Sequence, residues 1–155
     1  MERLRKSLVL VLVAGLPAAA PPLDTVSPDF CVAAGSMTYR LARNAAPTDY
    51  RVRIDDKAPD LRIALADRAE TADFTLVDEP DSAPYSCRGA GFVKSVTIVP
   101  ADTPADMTIS LTRDPATADF TLFVHSTRLS SRDAAALFVL MRAVDLADTV
   151  GSLAR

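Results

Sequence analysis

The sequence predicts a mostly β domain that ends in one helix, with an antiparallel sheet of about six to seven short strands built from a repeated strand–turn unit. Three observations favour this α+β class. Apolar and polar residues alternate with the period of a strand, the alternating segments recur at fixed spacing, and a long segment free of proline closes the chain. Connections of about six residues, such as 67–72, are too short for the crossover helix of a parallel pair, so antiparallel pairing is expected.

The start of the chain has the order of a secretory signal peptide. Three basic residues precede an apolar run over Leu8–Leu16, and small residues end it at Ala18–Ala20. A retained membrane anchor is the alternative, but the apolar run is about half of the roughly 20 residues that a bilayer core requires. We therefore expect a periplasmic or secreted protein, divided into a signal peptide over 1–20, a flexible segment over 21–29 and a single domain over 30–155.

The net charge of the chain limits the classes of partner that it is expected to bind. Without residues 1–20 it loses three of 17 basic and one of 20 acidic residues, so the net charge becomes −5. Nucleic acids and anionic membranes both require a basic surface, so neither is expected as a main partner. No integral membrane segment is expected in the mature chain. No cofactor is expected either, because the five glycines never form a phosphate-binding loop.

An internal repeat is the strongest signal in the sequence. The six residues Thr71–Leu76 are identical to Thr117–Leu122, and the strands before them match at the same offset of 46 residues. A second offset aligns Pro47–Val52 with Pro104–Ile109, so the repeating unit is smaller than half the chain. The two sets of units lie at about 30–78 and 87–125.

Within each unit, alternation predicts one buried face and one polar face of the sheet. The inward-facing side chains are expected to be Met37, Tyr39 and Leu41; Tyr50, Val52 and Ile54; Leu61, Ile63 and Leu65; Val96 and Ile98; Met107, Ile109 and Leu111; and Phe120, Leu122 and Val124.

An aspartate begins each unit, and these residues are Asp49, Asp60, Asp73, Asp106 and Asp119. We interpret each as a turn residue that accepts backbone N–H bonds as the chain enters the strand. The alternative is a calcium-binding edge. Calcium-binding turns, however, carry several oxygen ligands and glycines, whereas each turn here supplies one Asp and no Gly, so no metal site is expected.

The repeated unit resembles that of small exported bacterial proteins in which apolar strands are separated by Ala-Asp. The resemblance covers residues 30–125 and rests on Ala72-Asp73-Phe74 and Ala118-Asp119-Phe120. It implies an exported protein and carries over no catalytic residue.

Cys31 and Cys87 are the only cysteines, and each begins a C-x-x-A-G segment. In an oxidising compartment an even pair is typical of a disulfide, and a loop of this length corresponds to about 4 kcal/mol in the chain-entropy model. The alternatives are a redox pair or a metal site. Redox pairs are usually close in sequence, and two thiols with the single His125 make a poor ligand set.

A C-terminal helix is predicted over about 131–150. Its apolar side chains cover roughly 200° of the helix, about twice the stripe that a helix packed on one sheet needs. Either the helix is sunk into the fold, with loops such as 42–49 or 79–92 wrapped over it, or one side meets a partner. The candidate interface residues are Val139, Ala143, Leu146 and Val150.

Two functions stay open. The first is a non-catalytic exported module that binds a protein or joins an envelope assembly, as a homo-oligomer or with an envelope partner. The second is a small secreted hydrolase that uses carboxylates or His125. His125 falls at a strand end, and the chain has no G-x-S-x-G nucleophile elbow. The small size, the expected disulfide and the over-apolar helix favour the first.

Overall fold

The computed structural model describes residues 29–34, 36–43, 47–77, 87 and 92–153, with side chains up to Asp145 in the last of these. The predicted signal peptide therefore lies outside the described residues. Among the described residues, no helix is long and apolar enough to span a bilayer.

The described residues form one curled sheet, shaped as a half-barrel, and one C-terminal helix. The strands are β1 (Phe30–Ala34), β2 (Met37–Leu41), β3 (Tyr50–Ile54), β4 (Leu61–Leu65), β5 (Phe74–Val77), β6 (Phe92–Val99), β7 (Met107–Thr112) and β8 (Phe120–His125), and the helix is α1 (Ser131–Leu153). Short 3-10 turns lie at Ala69–Thr71 and Pro115–Thr117. The mostly β class with one C-terminal helix is confirmed.

The predicted antiparallel sheet of six to seven strands is wrong. Eight described strands pair in the order β1-β2-β6-β3-β7-β4-β8-β5, and only β1 and β2 run antiparallel. All other neighbours are parallel. The strands of the two repeat copies interleave, because β3, β4 and β5 of the first copy alternate with β6, β7 and β8 of the second.

Stagger of the strands explains how six-residue connections can join parallel strands. Ile54 ends β3, Leu61 begins β4, and both pair with Ile109 of β7. The chain therefore steps sideways past one strand and resumes at the same level, with no need to return along the strand. Leu65 and Phe74 repeat this arrangement around Leu122. The antiparallel prediction failed because it assumed that a parallel connection must run back along the whole strand.

The connections cross the outer face of the sheet. The Thr121 hydroxyl donates to the carbonyl of Thr71 at 3.1 Å, and the Arg53 guanidinium donates to the carbonyl of Ala101 at 3.5 Å. The turn at Pro115–Thr117 contacts β4, where Ala64 is 1 % exposed. Ala64 lies beneath this turn and is therefore covered, although it belongs to the polar side of the alternation.

The helix fills the concave face of the sheet. Every residue from Ala134 to Met141 is at most 9 % exposed, and the Phe138 ring lies 5.3 Å from the rings of both Phe74 and Phe120. The six sets of side chains that were predicted to face inward all lie in this core or pack against it. A curled sheet surrounds more of a helix than a flat one does, which accounts for the broad apolar arc of its first half.

The candidate interface residues on α1 have different environments. Val139 is 1 % exposed, and its side chain packs in the hydrophobic core. Ala143 is half-buried, whereas the side chains of Leu146 and Val150 lie outside the described ones. Of the two loops expected over the helix, 42–49 reaches it through Arg43, whose Nη2 lies 3.2 Å from Asp133. Most of 79–92 lies outside the described residues.

Candidate functional site

Each of the five predicted aspartates lies directly before its strand and is hydrogen-bonded to one residue of the neighbouring strand. We name this pairing a clasp. In the clasp of Asp60 with Thr108, the Asp60 N–H donates to the Thr108 carbonyl at 2.8 Å, and the Thr108 N–H donates to the Asp60 carboxylate at 2.7 Å. The same two bonds join three further pairs, which are Asp106 with Arg51, Asp119 with Arg62, and Asp73 with Thr121.

The clasp of Asp49 with Ser95 uses a hydroxyl as well. The Asp49 N–H donates to the Ser95 hydroxyl at 3.1 Å, while the carboxylate accepts from the Ser95 N–H at 2.9 Å and from its hydroxyl at 2.7 Å. The Ser95 hydroxyl, followed by its backbone N–H and by Lys94, lowers the pKa of Asp49, although desolvation opposes the shift. Hydrogen bonds to an ionised carboxylate favour the charged form.

The stagger of the sheet gives the clasps their role. Because each strand begins further along than the neighbour it joins, the neighbour's N–H just before their shared ladder has no strand residue opposite it, and the aspartate carboxylate accepts it. In every clasp the aspartate and its partner come from different repeat copies. The five clasps therefore join the two interleaved halves of the chain.

No group of three or more His, Cys, Asp or Glu side chains that could hold a metal ion occurs within the described part of the chain. The five aspartates lie at the starts of five different strands, and each carboxylate accepts a backbone N–H. This arrangement stabilises strand starts and leaves the carboxylates spread along the sheet.

A sixth aspartate was missed by the sequence analysis, which placed Asp29 in a flexible segment. Its carboxylate accepts the N–H of Arg43 at 3.1 Å and lies 3.9 Å from the Arg40 guanidinium. Pro28-Asp29-Phe30 repeats the pattern of a small residue or Pro, then Asp, then an apolar residue. Searching for that pattern before the first cysteine would have found it.

The predicted disulfide is confirmed. Cys31 of β1 is bonded to Cys87, with their Cα atoms 5.5 Å apart. Because Cys87 precedes β6, the bond ties the N-terminal hairpin to the start of the second repeat copy.

The residues considered for hydrolysis are not brought together. His125 is exposed at the end of β8, and no described side chain is hydrogen-bonded to it. Asp49 and Asp106 share a polar depression with Arg43 and Arg51, but both carboxylates are engaged in clasps. A general acid needs a raised pKa, whereas that of Asp49 is lowered.

An apolar groove of about 550 Å³ opens between the start of β6 and the helix. The apolar lining comprises Met37, Tyr50, Phe92, Val93, Leu140, Ala143 and Val144. Phe92 is 78 % exposed, which is the greatest exposure of any large apolar side chain in the described residues. No sequence motif at Phe92 indicates this exposure.

Charged groups at the rim of the groove are already paired. The Lys94 ammonium lies 3.5 Å from the Asp49 carboxylate, which also accepts from Ser95. Burial, followed by the charges of Asp106 and Asp60, raises the pKa of Tyr50, so its phenol stays neutral. The groove therefore offers an occupant mainly apolar contacts.

No protein-family model, no curated protein and no solved structure matches this chain.

Proposed function

We propose that this chain is a non-catalytic binding module that acts in the periplasm or outside the cell and takes an apolar side chain of a partner protein into the groove beside Phe92. The observation that carries the proposal is the 78 % exposure of Phe92 at the mouth of an apolar groove. Binding sites are usually concave and lined mainly by apolar and aromatic side chains, and aromatic residues are enriched among the residues that dominate binding energy.

A protein partner fits the groove better than a small polar ligand. Sites for small polar ligands present several convergent polar groups that fix orientation. Here the rim groups Asp49 and Lys94 are engaged with each other and with Ser95. An apolar side chain presented by a partner needs no such groups, because its own backbone stays in water at the groove mouth.

The disulfide and the predicted signal peptide support a location outside the cytoplasm, because disulfides persist in oxidising compartments. Cell fractionation tests this part of the proposal. A processed protein in the periplasm or medium, with Cys31 and Cys87 linked, is expected. Full-length protein found only in the cytosol would contradict it.

The groove is tested by placing a photo-crosslinking amino acid at Phe92, identifying the adduct and measuring binding of the purified partner. Phe92→Ser and Val144→Glu should each weaken that binding by about 30-fold, the scale of a hot-spot residue of 2 kcal/mol. Arg68→Ser, on an exposed loop, is the matched control and should bind like wild type. Equal binding by all of these variants would contradict the proposal.

A further inference from the structure

The clasps form an ordered series along the sheet. In each unit, the residue two positions after the aspartate is the one that the next aspartate clasps. Thr108, two after Asp106, is clasped by Asp60, and Arg62, two after Asp60, is clasped by Asp119. Thr121, two after Asp119, is clasped by Asp73. Each unit thus presents a docking position for the following one.

The series stops at β5. Two residues after Asp73 is Thr75, which is exposed, and no aspartate of the described residues reaches it. In the part of the chain that the structure describes, β5 pairs with β8 on one side and with no strand on the other. Because backbone groups alternate between the two edges of a strand, Thr75 directs its N–H and carbonyl to the unpaired edge, as Thr121 directs its own towards β5.

This edge carries few of the protections that natural sheets use. Apart from its shortness, β5 has no charged residue, no proline and no bulge, and Val77 is 54 % exposed. Natural edge strands are usually blunted by such features, because an unprotected edge recruits other strands. An edge that is left open in a protein suits the addition of a strand from a partner.

We propose that the unpaired edge of β5 accepts an extended segment of a second protein as a parallel strand, and that this segment carries the sequence Asp-apolar-any-apolar. Its aspartate clasps Thr75. Its first apolar residue then lies beside Leu76 on the concave face, as Phe74 lies beside Leu122 directly after the clasped Thr121. The five internal clasps fix the direction, the register and the position of the aspartate in the segment.

Residues 1–155 offer no spare unit for this edge, and the proposal therefore places the segment in another protein. The aspartates of the segments outside the described residues are Asp24, Asp78 and Asp81, and they are followed by Thr-Val, Glu-Pro and Ser-Ala. None of these gives an aspartate followed by apolar, any and apolar residues. In a second copy of the chain, the units that do have this pattern are already strands of its own sheet.

The probe is a labelled peptide that copies Thr117–Val124, Thr-Ala-Asp-Phe-Thr-Leu-Phe-Val, titrated with the folded, disulfide-bonded protein and followed by fluorescence anisotropy. Saturable binding is expected. A matched peptide with Ala in place of Asp should bind at least about tenfold more weakly, because a charge-assisted hydrogen bond is lost.

Two variants of the protein test the site. Thr75→Pro removes the N–H at the unpaired edge, where proline is tolerated, and should weaken peptide binding by about tenfold or more. Thr75→Val keeps that N–H and should bind like wild type. Both variants should keep the wild-type melting temperature to within a few degrees, which separates loss of the site from loss of the fold.

Several results would overturn the proposal. They are absence of saturable binding at millimolar peptide, equal binding of the Asp and Ala peptides, and equal binding by Thr75→Pro. A wild-type dimer that Thr75→Pro abolishes would assign the edge to a second copy. Slow amide exchange of Thr75 in the free protein would show that the chain itself covers the edge. Phe92→Ser should leave binding of the peptide unchanged. The proposal for the β5 edge is therefore tested separately from the proposal for the groove.

Discussion

Asp73 and Thr121 are hydrogen-bonded to each other through both backbone and side-chain atoms. The Asp73 N–H donates to the Thr121 carbonyl at 3.0 Å, the Thr121 N–H donates to the Asp73 carboxylate at 2.7 Å, and the Thr121 hydroxyl lies 2.8 Å from the same carboxylate. These residues are 48 apart in sequence and belong to different repeat copies. Four more aspartates are hydrogen-bonded to a residue of the other repeat copy, and in each case the carboxylate accepts a backbone N–H near the point where two strands begin to pair.

Removing a clasp should lower stability without changing the fold. Asp119→Ala leaves the N–H of Arg62 without its carboxylate partner and should reduce the free energy of unfolding by about 0.5–2 kcal/mol, the scale measured for lost helix caps. Asp73→Ala should lower it as well. Urea titrations give these values, and Asp67→Ala, an exposed loop aspartate, is the control and should change it little.

Calcium distinguishes a clasp from a metal ligand. Since each carboxylate already accepts a backbone N–H, added calcium should leave the wild-type melting temperature unchanged. A calcium-dependent rise of several degrees that Asp119→Ala abolishes would show that the aspartates serve a metal site instead.

Acid should destabilise the protein through its clasps. The Ser95 hydroxyl lowers the pKa of Asp49, and the Thr121 N–H lowers that of Asp73, both from the usual 3.8. A carboxyl with a lowered folded pKa contributes stability that is fully present above its unfolded pKa and is lost as pH falls through the folded value. The free energy of unfolding should therefore stay level from pH 7 to about 5 and decrease below about 4.

The control for this pH profile is the double variant Asp49→Asn, Asp73→Asn. It should be less stable than wild type at pH 7 and should lose less stability between about pH 4 and 2, because two of the titrating groups are gone. Parallel profiles for the variant and the wild type would contradict the assignment of acid sensitivity to these clasps.

Alternation predicted which side chains face the core but not which strands are neighbours. Ile54, Leu61 and Ile109 were each placed on the inner face correctly, because a period of two depends only on the strand itself. That these three residues lie side by side in the sheet depends on how far strands from distant parts of the sequence are offset along one another. The alternation within a single strand carries no information about that offset. The repeat offset gives a partial signal, since Tyr50 and Val96, 46 residues apart, pair in register.

The sequence likewise predicted some residues of the site and not others. The aspartates were predicted because one recurs at the start of each repeated unit. Their partners were not, because Arg51, Arg62 and Thr108 engage them through backbone N–H groups that every residue type possesses. Phe92 escaped notice because its exposure depends on the placement of the helix beside β6, and that placement is a property of the assembled fold.

Removing the disulfide should destabilise the domain strongly. Replacing both Cys31 and Cys87 by Ser should reduce the free energy of unfolding by up to about 4 kcal/mol for a loop spanning 56 residues. Calorimetry of the variant and of the reduced wild type should give the same loss. Mass spectrometry of the exported protein should find one Cys31–Cys87 link, and two thiols open to alkylation in the native protein would contradict it.

A charge within the buried half of the helix should unfold the protein. Val139 is 1 % exposed, so Val139→Glu places an unpaired carboxylate in the core and should abolish the cooperative thermal transition. Arg132→Glu, on an exposed position of the same helix, is the control and should fold. If Val139→Glu instead stays folded and only its sedimentation changes, this part of the helix faces a partner and not the core.

The interleaving of the two repeat copies is most directly tested by cross-strand nuclear Overhauser effects in the isotope-labelled protein. Ile109 pairs with Ile54 on one side and with Leu61 on the other. We therefore expect backbone contacts from β7 to both β3 and β4, in the parallel pattern, together with contacts between Arg62 and Asp119. Direct backbone contacts between β3 and β4 in an antiparallel pattern, with none from either strand to β7, would contradict the interleaved sheet and the clasps that depend on it.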